Sequence, residues 1–161
     1  MDRRASIILI ARVLVFSVLA GIAGSGKSYA QTDMDNVKAA VAGYHAALSA
    51  LDAPKMEALW VQDDSVMDIE PSDKSISVGW DAVKKNFESE FNAFSELKVM
   101  QADGPHIQVK GEVAWSMGIA NSSLKTKAGV VANGPVFETD VFEKHDGHWL
   151  LVSHTALRVP Q

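Results

Sequence analysis

The sequence contains no cysteine. Disulfides, thiolate metal sites, cysteine nucleophiles and anchoring through a lipidated cysteine are therefore excluded. Internal repeats, low-complexity stretches and linker-like segments are also missing, so the 161 residues read as one domain with ample length for a hydrophobic core. Positive charge is in deficit: 15 Lys and Arg face 20 Asp and Glu, a net charge of −5. That balance favours solubility and repels phosphate backbones, which argues against a nucleic-acid partner. With 47% apolar and 22% charged residues, the composition is that of a folded chain and not a disordered one.

Long apolar runs are scarce as well. The longest begins near the N-terminus, but Arg12 and then glycines interrupt it, leaving it short for a bilayer-spanning helix. It reads instead as a secretory signal. Arg3 and Arg4 form the positive head, Val13 to Ile22 the apolar middle, and Ser28-Tyr29-Ala30 puts small residues at the two positions a signal peptidase reads. Cleavage after Ala30 makes Gln31 the new N-terminus and 31–161 the mature domain, periplasmic or secreted. Residues 1–30 carry four basic side chains against one acidic, so that domain bears −8. The other reading is an uncleaved N-terminal anchor, and no membrane contact is expected beyond this segment.

Gly21 to Ser28 also fits the phosphate-binding pattern G-x-x-x-x-G-K-S. The pattern works only where loop and helix N–H groups converge on phosphates. Tyr29 to Asp33 reads as a cleavage site followed by a helix cap, so the helix is expected to be missing and the loop to leave with the signal. The nucleotide-binding reading is set aside on those grounds.

Met34, Val37, Val41, Tyr44, Leu48 and Leu51 recur at helical spacing, with Thr32 or Asp33 as the expected cap. Asp52 opens a short second helix with Pro54 in its first turn, and Met56, Leu59 and Trp60 are its apolar side. Ser65 to Glu70 alternates as a strand, Ser72 to Ser77 reads as a polar loop, and Val83, Phe87, Phe91 and Phe94 mark a third helix. From there the period is two, with strands expected at Leu97–Ala102, His106–Lys110, Glu112–Leu124, Pro135–Lys144 and His148–Arg158. Asp146-Gly147 is the sharpest hairpin signal. Helices followed by an antiparallel run of strands make an α+β fold, with the helices covering one face of a curved sheet.

The segments Tyr44-His45-Ala46-Ala47-Leu48 to Asp52, Ala58-Leu59-Trp60 and Asp63-Asp64-Ser65-Val66 resemble the opening of SnoaL-like and ketosteroid isomerase-like proteins of the nuclear transport factor 2-like superfamily. Gly79-Trp80-Asp81-Ala82-Val83 looks like that family's third helix start. Thr139 to Lys144, Asp146 to Trp149 and Ser153-His154-Thr155 look like its closing hairpin. The resemblance implies a cone: a strongly bent antiparallel sheet wrapped by three N-terminal helices, a pocket between them, and dimerisation through the open sheet face. Fold alone does not carry activity.

The same resemblance places Tyr44 and Asp140 as donors to a substrate oxyanion and Asp68 or Glu70 as the base, with His154 as a pocket histidine. A buried carboxylic acid can keep its proton and donate, while a wetter carboxylate stays ionised and accepts. Ketosteroid isomerase itself pairs two carboxyl groups in this way. Plainer readings stand beside these. Tyr44 fits helix packing, Asp68 and Glu70 fit the solvated face of an edge strand, Asp140 with Glu138 fits an exposed polar stripe, and His154 fits a satisfied core residue.

Trp115, Met117, Ile119 and Asn121 share one strand face opposite Ala114, Ser116, Gly118 and Ala120. Together with Trp60 and Phe142, the larger set is expected to wall the pocket. His145 and His148 lack further ligands at recognised spacing, so no metal is expected, nor any cofactor. Two functions remain: a container for a small hydrophobic molecule, or an isomerase- or cyclase-type enzyme moving a proton next to a carbonyl.

Overall fold

The computed structural model describes residues 25–160, with side chains from residue 31 onward. The apolar middle of the expected signal and the glycine-rich start of the phosphate-loop match lie outside the described residues. The elements are α1 (Ser25–Ala50), α2 (Ala53–Glu57), β1 (Met67–Ile69), β2 (Ser77–Val78), α3 (Trp80–Ala93), β3 (Phe94–Lys110), β4 (Val113–Thr126), β5 (Val131–His145) and β6 (His148–Arg158). No helix among the described residues is long and apolar enough to cross a membrane.

Helix α1 starts earlier than the sequence pattern suggests. It is already formed at Ser25, so neither Thr32 nor Asp33 caps it, and the expected break before Asp33 is corrected. One ground for dismissing the phosphate loop, the lack of a following helix, falls with it. Asp33 is engaged elsewhere: its Oδ1 accepts from Lys144 Nζ and from Trp149 Nε1, tying α1 to the β5–β6 hairpin. Among the described side chains the core stripe begins at Val37 and continues through Val41, Tyr44 and Leu48. Cleavage after Ala30 would leave these four residues in the mature chain.

Helix α2 is capped as its sequence suggests, with Asp52 Oδ1 accepting the Lys55 N–H at 3.1 Å and proline in the first turn. Helix α3 buries Val83, Phe87 and Phe91, while Phe94 leaves the helix and opens β3. The segment read as a polar loop contributes the two-residue strand β2. The two strands expected on either side of Asp103-Gly104-Pro105 are one long strand, β3, whose pairing with β4 slips between Gln101 and His106. Such irregularities bend a sheet. At the bend a side chain at Gly118 would meet Asp103 O at 2.8 Å and the Gln101 amide at 2.6 Å, so only glycine fits there. Gln101 Nε2 uses that opening to donate to the carbonyls of Asp103 and Ile119.

The sheet order is β2-β1-β6-β5-β4-β3. Pairing is antiparallel except between β1 and β6, which run parallel, so the expected all-antiparallel sheet is corrected to a mixed one. Asp146 and Gly147 both take positive φ in the tight turn joining β5 to β6, as the hairpin signal requires. The parallel pair decides the geometry of everything that follows. It aligns Asp68 of β1 with His154 of β6, while β6 aligns His154 with Asp140 of β5 and β5 aligns Asp140 with Ser116 of β4. Four polar residues thus form one transverse row on one sheet face.

That face is the inner one. Ala114, Ser116 and Ala120 are buried on it, whereas Trp115, Met117 and Asn121 are exposed on the other and Ile119 is half-buried there. The expectation that the large residues wall the pocket is corrected. Rings and branched chains from the helices and neighbouring strands, among them Tyr44, Phe87 and Phe142, already fill the inner volume. Strand β4 fits beneath them because its inward residues are small.

Candidate active site

The candidate site is built on the transverse row. Ser116 Oγ donates to Asp140 Oδ2 at 2.6 Å, and the other oxygen of Asp140 lies 2.7 Å from His154 Nδ1. A carboxylate accepting a hydroxyl on one oxygen takes the imidazole N–H on the other, so His154 presents Nε2 on its far side. Asp140 is therefore an acceptor on both oxygens. The expected role for it as a hydrogen-bond donor to an oxyanion is corrected: it is a positioning residue for His154.

Beyond Nε2 lies Glu70, with Oε1 at 3.5 Å, an ion-pair distance without hydrogen-bond geometry. The same oxygen accepts the Tyr44 hydroxyl at 2.9 Å. Tyr44 reaches it from α1, its ring 4.5 Å from the imidazole and edge-on to Trp60 at 6.4 Å. The Tyr44 hydroxyl is thus committed to Glu70 and not free for a ligand. Asp68 sits in the same row, only 3% exposed; Asn86 of α3 approaches its Oδ2 at 3.4 Å, and its Oδ1 has no partner. Asn86 also binds Asp73, which accepts the Glu70 N–H, so the turn after β1 is fastened to α3.

Tyr44, Asp68, Glu70, Asp140 and His154, far apart in the chain, are brought into one buried cluster. Burial governs its charges. It pushes Asp68 up to about 7, aided by repulsion from Glu70 and opposed by His154 and Asn86. Burial likewise pushes Glu70 up to about 7, against the pull of His154. For His154 burial acts downward, but Glu70, Asp140 and Asp68 outweigh it and hold the imidazolium up to about 10. Tyr44 is driven well above its ordinary range by burial and by Glu70, so its hydroxyl keeps its proton.

A cavity of about 50 Å³ adjoins the cluster. Its apolar wall includes Leu48, Phe94, Leu97, Val99, Leu124 and Val136, and its polar groups are Glu70, Ser72, Glu90, Ser122, Glu138 and Arg158. Only Glu70 belongs to both cluster and cavity. None of the six residues expected to line the pocket does so: Trp60 and Phe142 are packed in the core, and the β4 residues face outward. The space is about that of one or two waters, well short of the roughly 150 Å³ that holds benzene. Glu138, half of the stripe read as exposed, is buried and bonded to His45 Nε2 at 2.9 Å.

Sequence reasoning missed Ser116, Asn86 and the His45–Glu138 pair. Ser116 alternates with Ala114 on the face read as merely small. Asn86 stands three residues after Val83, beside the apolar stripe of α3, where a polar residue is a usable signal.

The SnoaL-like domain family profile matches residues 37–156, a span that contains the whole cluster. The chain belongs to the SnoaL-like family. Among solved structures, a candidate dehydratase of the nuclear transport factor 2-like family from Streptomyces avermitilis superposes with a TM-score of 0.73 at 20% identity, over 81% of this chain and 99% of that one. A nuclear transport factor 2-like superfamily protein from Salmonella enterica serovar Typhimurium gives 0.72 at 16%, covering 84% and 94%. A ketosteroid isomerase-like protein from Erwinia carotovora gives 0.67 at 19%, covering 80% and 98%. At these identities the likeness is one of fold. No curated protein matches the sequence. Within the SnoaL-like fold, the curled mixed sheet carries the cluster on its inner face across β1, β6 and β5, with Tyr44 reaching it from α1 and Asn86 from α3.

Proposed function

We propose that this SnoaL-like protein is a proton-transfer enzyme acting next to a carbonyl on a small, largely apolar molecule. Supporting this is the position of Glu70, which joins the buried His154–Asp140–Ser116 chain to the wall of the cavity. A carboxyl poised near 7 both takes and returns a proton at neutral pH. Glu70 is favoured over Asp68 as the base because Asp68 does not reach the cavity wall. The imidazolium of His154, fixed by Asp140, offers positive charge behind Glu70, and Tyr44 orients it by hydrogen bonding.

A container without chemistry would not need this cluster, since burying several ionisable groups costs stability that an apolar core would keep. The test is exchange. A panel of small cyclic ketones and enones, incubated with the protein in deuterium oxide, should gain deuterium beside the carbonyl at rates above buffer by mass spectrometry. Ligand binding without any enzyme-dependent exchange would leave the container reading in its place.

The proposal extends to the assembly. On the outer sheet face Met100, Trp115, Met117, Phe137 and Leu157 are exposed, Met117 at 56% and Phe137 at 48%. The pairing puts Ile119, Phe137 and Leu157 side by side across three strands. An exposed apolar face of this kind suits a second copy of the chain. Light scattering should report a dimer, and Phe137→Glu should shift it to monomer without unfolding it; a native monomer at micromolar concentration would refute the pairing. Export completes the reading: the N-terminal segment carries the features of a signal, and mass analysis of protein from the periplasm should give a chain starting at Gln31.

A further inference from the structure

We propose that Asp68, Glu70 and His154 form a binding site for a single borderline divalent cation of the Zn²⁺ or Co²⁺ class. One ligand atom from each of the three lies within 4.8 Å of the others. Within this cluster Asp68 Oδ1 and His154 Nε2 are buried and make no hydrogen bond, in residues only 3% and 2% exposed. Buried polar atoms are normally paired, and two orphans within one such cluster call for an occupant.

The surroundings have the form that ligands require. Each of the three groups uses its other atom, or a spare lone pair, for an outer hydrogen bond that fixes its direction. Asn86 approaches Asp68 Oδ2 at 3.4 Å, Tyr44 donates to Glu70 Oε1 at 2.9 Å, and His154 Nδ1 donates to Asp140 Oδ1 at 2.7 Å, itself held by Ser116. A carboxylate behind a ligating imidazole is the usual outer shell of a metal-bound histidine. It keeps the proton on Nδ1, so metal binding displaces only the Nε2 proton of the imidazolium.

The donor set selects the metal class. One imidazole and two carboxylates suit zinc, cobalt, manganese or iron, while calcium and magnesium prefer all-oxygen sites. Ligand bonds of roughly 2.0–2.2 Å put neighbouring donor atoms about 3.4 Å apart. The Glu70 Oε1 to His154 Nε2 distance of 3.5 Å already meets this. A carboxylate oxygen of Asp68 lies within 4.8 Å of the other two donor atoms. The two carboxylates balance a double positive charge, and three protein ligands leave a position open. The site shares atoms with the proton-transfer proposal but does not depend on it, because binding is read without turnover.

The experiment titrates Co²⁺ into chelator-treated mature protein, follows the visible ligand-field absorption, and then competes with Zn²⁺. Saturation at one equivalent is expected. Asp68→Asn should weaken binding at least about 100-fold and Ser116→Ala about 10-fold, the latter within the range for an outer-shell change. A variant lacking both surface histidines, His145→Ala with His148→Ala, should bind as the native protein does. Circular dichroism checks folding, and if Asp68→Asn fails to fold, Ser116→Ala carries the test. The site is overturned by absence of saturable binding, by native affinity in the variants of the triad and its outer shell, or by binding that vanishes with the surface histidines. Exchange activity is measured separately, so loss of one proposal leaves the other standing.

Discussion

Glu70→Gln slows carbonyl-adjacent deuterium exchange by about 10²–10⁴-fold, the usual weight of a positioned general base. Glutamine keeps the volume of the side chain and can still accept from Tyr44 through its carbonyl oxygen, so packing at 13% side-chain exposure changes little. What it loses is the proton-carrying oxygen. The native rate should rise with pH through a limb near 7, where burial has placed the Glu70 carboxyl, and this limb should vanish in the variant. Acetate or formate should restore part of the rate in Glu70→Ala, where truncation opens space for a small carboxylate, and not in Glu70→Gln, where the amide fills it. A purely structural glutamate would respond to neither pH nor rescue. Asp140→Asn should instead lower the rate while keeping the limb, since it loosens the hold on the His154 imidazolium and leaves the base in place. Glu70→Gln exchanging at the native rate would end the proposal.

The order of helices and strands was legible because each rests on local periodicity: the α1 stripe, the capped Asp52-Ala53-Pro54 turn, the Asp146-Gly147 hairpin. The convergence of Tyr44, Asp140 and His154 came from family resemblance, and the fold bears out their meeting. The errors share a cause. Alternation shows that Trp115 and Ala114 lie on opposite faces of a strand but not which face is inner; that depends on how much volume the helices bring. The parallel pairing of β1 with β6 joins residues about 86 positions apart, and no short-range pattern encodes it. Yet that pairing aligns Asp68 with His154. Asp140 was misread for a related reason, because its two partners, Ser116 and His154, arrive from neighbouring strands and turn an expected donor into an acceptor.

The early start of α1 has a different cause. Thr32 and Asp33 have the chemistry of caps, and the backbone passes through them as helix. Asp33 meets a stronger need, since Lys144 and Trp149 both donate to it and Lys144 lies over the Trp149 ring at 5.7 Å. Tertiary partners override a local capping preference when they satisfy the same carboxylate.

The charges of the site also fix how stability responds to pH, and the second large effect follows from them. The metal-free protein should be most stable near pH 4 and lose stability steadily as the pH rises to 8. Asp68 and Glu70 have folded pKa values raised to about 7 from 3.8 and 4.5. A raised carboxyl binds protons more tightly folded than unfolded, so its contribution is complete below the unfolded pKa and disappears as pH climbs through about 7. Each shift corresponds to ~3–4 kcal/mol at 1.36 kcal/mol per pH unit, and the two titrate together, so their sum is an upper bound. His154 adds to the same slope. Its pKa is raised from 6.5 to about 10, so stability is complete below 6.5 and is lost toward 10. Asp33 works in reverse: held low by Lys144, it loses its contribution as acid protonates it, which bends the curve down below about pH 4. Calorimetry on the metal-free protein should show the melting temperature falling by about 10 °C between pH 5 and 8, taking ~2–4 °C per kcal/mol. Asp68→Asn removes a buried carboxylate with an unpartnered oxygen, so it should flatten the slope and melt higher than the native protein at pH 8. A melting temperature that is flat or rising across that interval would mean the cluster is hydrated, and the charge arrangement assigned to Asp68, Glu70 and His154 would have to be abandoned.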